Sequence, residues 1–221
     1  MTDLNSKPLR RPRTWHEEAD VVVVGYGYAG AVAALEARDA GADTLLIEKM
    51  PDPGGISITS GGNVRTIENV DDGLSYLRAT SDGTTPDNVL RALAVGMKQM
   101  PAYFEKLCKI NGAVIDRRQA DGNYPFPGTK TWGYVSIKSI PDFDAETTYP
   151  FVSSYVPIHR AAGVRLFKVI EDNIRARKIR VMLSTPVRRL ITGDNREVIG
   201  VVAERDGKPI NIKARRAVIL A

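Results

Sequence analysis

The chain has 221 residues, 43% of them hydrophobic and 26% charged, which is ordinary for a globular protein with room for a substantial core. No apolar run approaches the ~20 residues that a bilayer-spanning helix needs, so we expect no integral membrane segment. The net charge is +5, and the basic residues form short, scattered pairs, which argues against nucleic-acid binding. The single cysteine excludes an intrachain disulfide and a cysteine-based metal cluster. We therefore expect a cytoplasmic protein without a metal site.

Residues 1–18 are predicted to form a disordered basic tail, because no apolar segment of a secretory signal follows their four basic side chains. The next stretch, Val21-Val22-Val23-Val24, indicates a strand that is buried on both faces, as in the middle of a parallel sheet. It leads into Gly25-Tyr26-Gly27-Tyr28-Ala29-Gly30, and residues 29–40 have the composition of a helix. Glu48 ends a second apolar run, at about the separation from the glycines that a dinucleotide-binding motif requires. Together these features predict a dinucleotide-binding βαβ unit.

Each residue of this motif has a predicted physical role. Gly25 would allow the tight turn out of the strand, Gly27 would let a pyrophosphate approach the backbone, and Gly30 would let the helix pack closely on the sheet. The N–H groups at the start of the helix would face the phosphates. Glu48 would accept hydrogen bonds from ribose hydroxyls, and its negative charge disfavours a ligand with a 2′-phosphate.

The stretch 50–62 contains prolines, two Gly-Gly pairs and several hydroxyl side chains, which disfavour regular structure at its start. Such a segment can present many backbone N–H groups to a ligand, so we predict that it cradles the cofactor; a mobile linker is the alternative. The small and hydroxyl residues of this stretch include Gly54, Gly55, Ser57, Ser60, Gly61 and Gly62.

Residues 71–110 are predicted to be mainly helical. Thr85 is the expected N-cap of one helix, with Pro86 in its first turn, and Pro101 is expected to break or kink the pattern. Cys108 is expected to be a buried structural thiol. The predicted core face of this region consists of Val89, Leu90, Leu93, Met97 and Met100.

The second half of the chain is predicted to begin with an irregular, aromatic-rich segment at 113–158. This composition suits the wall of a pocket for a flat or apolar ligand, and simple packing over the sheet is an equal alternative. A helix is expected over 160–180. Strands are expected over 181–184, 187–192, 197–205, 210–214 and 216–221, with a hairpin turn at Asp206-Gly207.

The βαβ motif, the 54–62 stretch, the late hairpin and the final apolar strand occur in an order that resembles the FAD-binding domain of the fumarate reductase/succinate dehydrogenase flavoprotein superfamily. The 54–62 stretch is most similar to the ketosteroid dehydrogenase branch. The resemblance covers about residues 19–221 and implies an α/β, Rossmann-like FAD-binding domain, with a parallel sheet, helices on both faces and a small β-hairpin or meander. Family members continue further, so we expect 19–221 to be the N-terminal part of that domain, truncated before the capping domain.

The resemblance also implies how FAD is held. Glu48 would bind the adenosine ribose, Lys49 would lie on the adenine side, and the backbone of Val187 would meet adenine. The 54–62 stretch would run beside the pyrophosphate, ribityl chain and isoalloxazine. Members with covalent FAD carry a histidine in that stretch and this chain has none, so FAD is expected to be noncovalent. The residues expected at the pyrophosphate are Gly25, Tyr26, Gly27, Ala29 and Gly30.

The implied reaction is hydride transfer between flavin N5 and a carbon–carbon bond next to a carbonyl or carboxylate. The expected partners are a small-molecule substrate (an enoate, a dicarboxylate or a ketosteroid) and an electron acceptor. Tyr124 lies in a Tyr-Pro-Phe-Pro-Gly segment that is similar to a segment of the steroid branch. It is the catalytic candidate, with a packing aromatic as the alternative.

Two other functions remain open on the sequence alone. Glu48 would suit NAD as well as FAD, which allows an NAD-linked Rossmann dehydrogenase, although the 54–62 stretch argues against one. The chain could also be a noncatalytic nucleotide-binding fragment.

Overall fold

A computed structural model describes residues 12–221, apart from the side chain of Arg160, and divides them into two compact units. Among these residues, one unit comprises 12–57 and Ile170–Ala221, and the other is Ile58–Val169. The strands are β1 (Glu17–Val24), β2 (Thr44–Ile47), β3 (Val64–Ile67), β4 (Val114–Gln119), β5 (Trp132–Ser139), β6 (Arg180–Met182), β7 (Val187–Thr192), β8 (Val198–Arg205) and β9 (Lys208–Leu220). The helices are α1 (Tyr28–Asp39), α2 (Val70–Ser81), α3 (Asp87–Cys108), α4 (Ala145–Thr148) and α5 (Gly163–Ala176).

The first unit contains a six-stranded sheet in the order β6-β2-β1-β9-β8-β7. The strands β6, β2, β1 and β9 are parallel, while β8 and β7 continue the sheet as an antiparallel meander. The predicted central strand is confirmed, since Val22 and Val23 are fully buried and α1 packs against β1 and β2. The unit is therefore a mixed α/β structure, as predicted. Its core cluster consists of Ala19, Val22, Leu45, Ile47, Val201, Ala203, Ile212 and Ala214.

The predicted disordered tail of residues 1–18 extends too far, because ordered structure begins before residue 18. Residues 1–11 lie outside the described residues, but β1 already begins at Glu17. His16 donates its backbone N–H to Asn211 O at 2.9 Å, and its Nδ1 accepts the Asn211 N–H at 3.0 Å. Pairing with the distant β9 extends the strand beyond the valine run.

The late hairpin is confirmed. The strands predicted over 210–214 and 216–221, however, form a single continuous strand, β9. Asp206 and Gly207 both have positive φ, 51° and 71°, as a two-residue hairpin turn between right-twisted strands requires. The single strand β9 pairs with β8 from Lys208 to Lys213 and with β1 from Ile212 to Leu220. Because β9 pairs with β8 in its first half and with β1 in its second, the sequence pattern of the two halves differs although the strand is continuous.

The second unit contains a three-stranded antiparallel sheet in the order β3-β5-β4, so the prediction of an irregular 113–158 segment is wrong for two stretches. In β5, Val135 and Ile137 are buried and alternate with partly exposed neighbours, which is the pattern of a sheet with one covered face. Frequent prolines around these strands hid that short alternation.

The helical region of the second unit is confirmed in type and corrected in detail. Pro86, rather than Thr85, occupies the N-cap position of α3, and the helix runs through Pro101 without ending. Of the predicted core face, Leu90 and Met97 are buried, whereas Val89 and Leu93 are about half exposed. The buried stripe lies one residue further along the helix, and it includes Ala94, Phe104, Leu107 and Cys108.

Cys108 is buried, as expected, and burial raises the pKa of its thiol. Within residues 12–221, the structure has no helix that is both long and apolar enough to cross a membrane.

Candidate cofactor site

The glycine motif forms a tight junction between β1 and α1. Gly25 has a φ of 106°, and its N–H donates to Ile47 O at 2.8 Å. A Cβ on Gly25 would overlap the carbonyl oxygen of Ala221, and one on Gly30 would overlap the carbonyl oxygen of Gly25. The turn and the helix packing that the sequence assigns to these two glycines are thus imposed by backbone atoms.

The amino end of α1 is shaped for an anion. Gly27 stands at the N-cap, where it has no side chain to cap the helix, and the Tyr28 N–H points to Ser57 Oγ at 3.3 Å. A Cβ on Gly27 would lie 3.1 Å from that same Oγ, so a larger residue would crowd this space. Backbone N–H groups and the positive end of the helix dipole therefore face the space next to the Ser57 hydroxyl, which is an arrangement that favours an anion.

Glu48 is buried and tied to the glycine turn by its side chain. Its Oε2 accepts the Tyr26 N–H at 2.8 Å, and its Oε1 accepts the Met50 N–H at 2.9 Å. A carboxylate oxygen can accept more than one hydrogen bond, so both oxygens keep capacity for ligand hydroxyls. The sequence pattern gives Glu48 a ligand role, and only the structure shows that Glu48 also fixes the turn.

These groups line one groove of about 470 Å³ in the first unit, a volume within the usual range for a small-molecule site. Ten residues predicted to contact the cofactor lie along it: Gly25, Tyr26, Gly27, Ala29, Gly30, Glu48, Lys49, Gly55, Ser57 and Val187. Gly54 does not line the groove, but its N–H donates to Tyr26 O at 2.7 Å. The structure therefore brings residues from four separate sequence stretches to one place.

Tyr26 contributes backbone rather than side-chain chemistry to this groove. Its ring is buried, and desolvation raises the pKa of its hydroxyl far above the usual range. The hydroxyl is therefore neutral over the physiological range. Its backbone N–H and carbonyl hold Glu48 and Gly54, as described above.

Arg188 and Thr185 are among the groove residues that sequence reasoning missed. Arg188 lines the groove and pairs with Glu204 at 3.2 Å, and the buried Thr185 donates its backbone N–H to Glu48 O at 2.8 Å. Arg188 directly follows Val187, the predicted adenine contact, and this position in the sequence could have marked it as a groove residue. Thr185 had no such signal, because its position follows from the packing of β6 on β2.

The rest of the 54–62 stretch belongs to the second unit. Ser60 Oγ accepts the Gly62 N–H at 3.2 Å, and Ser60 O accepts the Gly163 N–H at 2.8 Å. Gly62 has a φ of 63°, and a Cβ there would lie 2.9 Å from Ala162 O. This loop is a defined turn at the start of α5. The cofactor roles of Ser60, Gly61 and Gly62 stay predictions.

Tyr124 also lies in the second unit, and its side chain is 58% exposed. Its backbone N–H donates to Tyr76 Oη at 2.9 Å, and its ring centroid is 5.8 Å from that of Phe126. The catalytic role of Tyr124 stays a prediction. Among residues 12–221, no group of three or more His, Cys, Asp and Glu side chains is placed to hold a metal ion.

Comparison with known proteins identifies the family of this chain. Residues 20–221 match the family model described as the FAD binding domain. The chain is 31% identical over 146 residues to a 3-oxo-5-alpha-steroid 4-dehydrogenase of Comamonas testosteroni, covering 64% of this chain and 24% of that protein. It is 29% identical over 211 residues to an NADH:fumarate oxidoreductase of Klebsiella pneumoniae, covering 91% of this chain and 20% of that protein.

The fold is also found among solved structures. The 3-ketosteroid delta1-dehydrogenase of Sterolibacterium denitrificans superposes with a TM-score of 0.76 at 23% identity, over 93% of this chain and 47% of that one. The chain thus spans about a fifth to a quarter of the length of the curated relatives cited above and about half of this structure.

Proposed function

The chain belongs to the FAD-binding domain family, and on that premise we propose that its first unit holds the adenosine diphosphate half of FAD noncovalently in the groove at the start of α1. The observation that carries this proposal is the joint placement of the uncapped helix end, the Gly27 gap and the anchored Glu48. The match to a FAD binding domain favours FAD over the NAD-linked alternative, which Glu48 had left open.

Each group in the groove has a proposed task. The backbone N–H groups of Gly27, Ala29 and Gly30 bind the pyrophosphate, while those of Gly25 and Tyr26 hold the turn through Ile47 and Glu48. Ser57 directs its hydroxyl toward a phosphate oxygen. Glu48 accepts from ribose hydroxyls while the Tyr26 and Met50 amides hold its carboxylate in place. Lys49 and the Val187 backbone lie at the adenine end.

We further propose that residues 19–221 form the amino-terminal part of the FAD-binding domain of a larger oxidoreductase. FAD would supply hydride transfer at N5 to or from a carbon–carbon bond next to a carbonyl or carboxylate. The substrate would be an enoate, a dicarboxylate or a ketosteroid, and a separate electron acceptor would complete the cycle. Tyr124 is proposed to contact the substrate or move a proton. The cellular compartment stays a prediction from sequence.

The FAD proposal is tested by titrating FAD into apoprotein prepared from the full-length protein, with Glu48→Gln as the variant. Gln would direct an N–H₂ group at one of two backbone N–H groups, so we expect FAD affinity to fall at least about tenfold. Glu105→Gln makes the same change at an exposed position and should leave FAD affinity unchanged. Colourless protein that does not bind FAD would contradict the proposal.

The reaction class is tested separately on the flavin-loaded, full-length protein. Under anaerobic conditions with a dye acceptor, we expect one member of a panel of saturated acids and ketosteroids to reduce the dye. Fumarate and other enoates should be tried in the opposite direction, with reduced dye as donor. A protein that binds FAD but is inert to the whole panel would support the noncatalytic alternative.

A further inference from the structure

The second unit contains a small concave pocket, and Tyr124, the residue proposed to contact the substrate, is one of its lining residues. It has a volume of about 200 Å³, several times the roughly 30 Å³ of one liquid water, but below the usual range for large ligands. We call it the Arg65 pocket; the residues that matter for its chemistry are Arg65, Tyr76, Gly122, Asn123 and Trp132. Its size suits one ring or a short planar chain rather than a fused polycycle.

Arg65 gives the pocket a positive charge. Its Nη2 donates to Asn123 Oδ1 at 2.6 Å and its Nη1 to Asp121 O at 3.3 Å, both of which are neutral acceptors. Within residues 12–221, no carboxylate lies within ion-pair distance of this guanidinium. A guanidinium has five N–H donors, so three remain after these two bonds. A partly buried arginine without a countercharge is a ready site for an anion.

Two aromatic rings contact the guanidinium, and nearby side chains supply further donors. Arg65 Cζ lies 4.1 Å from the Tyr134 ring centroid and 5.6 Å from that of Trp132. The Tyr76 hydroxyl accepts the Tyr124 N–H, and its own hydrogen has no acceptor in the described part of the chain. The indole N–H of Trp132 is also buried without an acceptor among the described residues. The surroundings of Arg65 are therefore rich in donors.

The loop that closes the pocket is fitted to this arrangement. A Cβ on Gly122 would lie 2.5 Å from Cε2 of Tyr76 and 2.8 Å from its Oη, so glycine lets the loop backbone rest on the ring. The Gly122 N–H donates to Thr129 O at 2.9 Å, which holds the loop in place. Asn123 follows directly and orients Arg65. The pocket is thus held in shape before any ligand arrives.

We propose that the Arg65 pocket binds the carboxylate of a small planar acid. The guanidinium pairs with the carboxylate, the Tyr76 hydroxyl donates to the same group, and the flat body of the acid packs on the aromatic wall. The carboxylate proposal does not rest on the FAD groove, because all residues that line the Arg65 pocket belong to the second unit, but it shares Tyr124 with the proposed reaction.

The test compares benzoate with benzamide, which has the same flat body but no charge. Binding to the flavin-loaded, full-length protein is followed by ligand-observed NMR titration. We expect benzoate to bind with 1:1 stoichiometry and benzamide at least about tenfold more weakly. Visible flavin absorption reports the FAD site in the same sample, so failure of one proposal is distinguishable from failure of the other.

Arg65→Met should weaken benzoate binding at least about tenfold, whereas Arg118→Met should not change it. Arg118 is the matched control, because it also stacks on Tyr134, at 5.2 Å, but does not line the pocket. Asn123→Asp keeps the side-chain shape and gives Arg65 an internal countercharge, so it too should weaken binding while the protein stays folded. Absence of benzoate binding, equal affinity for benzamide, or equal losses in the two arginine variants would overturn the proposal.

Discussion

Gly30 is the residue at which the glycine motif is most tightly constrained by its own fold. It lies in the first turn of α1, where a Cβ would meet the Gly25 carbonyl oxygen and approach the Ala221 Cβ at 3.2 Å. Both are fixed atoms rather than ends of flexible side chains. Close packing of α1 against the β1 turn therefore requires glycine at this position.

Gly30→Ala should therefore destabilise the protein by about 3 kcal/mol, because the added methyl forces α1 away from the β1 turn. Urea unfolding measured in the absence of FAD checks this value. Gly96→Ala is the matched control in α3, where a Cβ meets no atom within 4 Å among the described residues. It should be neutral or stabilising by about 0.5–1 kcal/mol, as expected for a helix interior. Equal effects of the two substitutions would refute the steric explanation.

At the scale of elements, three strands of the first unit are tied together at one end by ion pairs. Arg215 on β9 contacts Asp20 on β1 at 2.7 Å, Glu18 on β1 at 3.0 Å and Asp43, just before β2, at 3.0 Å. Asp20 also accepts the Asp43 N–H at 2.9 Å. One arginine therefore links strands that are distant in the chain.

The Arg215 guanidinium holds the pKa of the Asp20 carboxyl below its ordinary value of 3.8, and the Asp43 N–H adds to this effect. A carboxyl whose pKa is lowered on folding stabilises the fold above its unfolded pKa, and that contribution is lost as the pH falls through the folded pKa. The stability difference between wild type and Asp20→Asn should therefore be constant at about pH 5–6 and shrink below about pH 4.

Urea unfolding at a series of pH values measures that difference. The same comparison in an Arg215→Met background is the control, since removing the donor should flatten the pH dependence of the Asp20→Asn effect. A shrinkage that persists without Arg215 would show that this ion pair is not its cause.

At the scale of the whole molecule, the manner of flavin attachment is a further prediction. The two histidines of this chain are His16 and His159, and neither lies in the 54–62 stretch. Cys108 is buried in α3. Acid precipitation of the flavin-loaded protein should therefore release all FAD into the supernatant, measured by its visible absorption. Yellow colour retained in the pellet would indicate a covalent bond.

Features that depend only on neighbouring residues could be predicted from the amino-acid sequence. The valine run, the G-x-G-x-x-G turn into α1 and the Asp206-Gly207 hairpin are local patterns, because strand burial, helix starts and positive φ are set within a few positions. Together with the family resemblance, which supplied Lys49 and Val187, these patterns identified ten residues that line one groove.

Only the tertiary structure decided the features that join distant segments. Glu48 meets the amide of Tyr26, which precedes it by a whole helix and strand, and β9 pairs with both β8 and β1. The burial of Leu90 rather than Val89 on α3 depends on which face meets the three-stranded sheet and α2. Hydrogen bonds and packing between remote segments leave no local periodicity, which is why the pattern of the chain cannot reveal them.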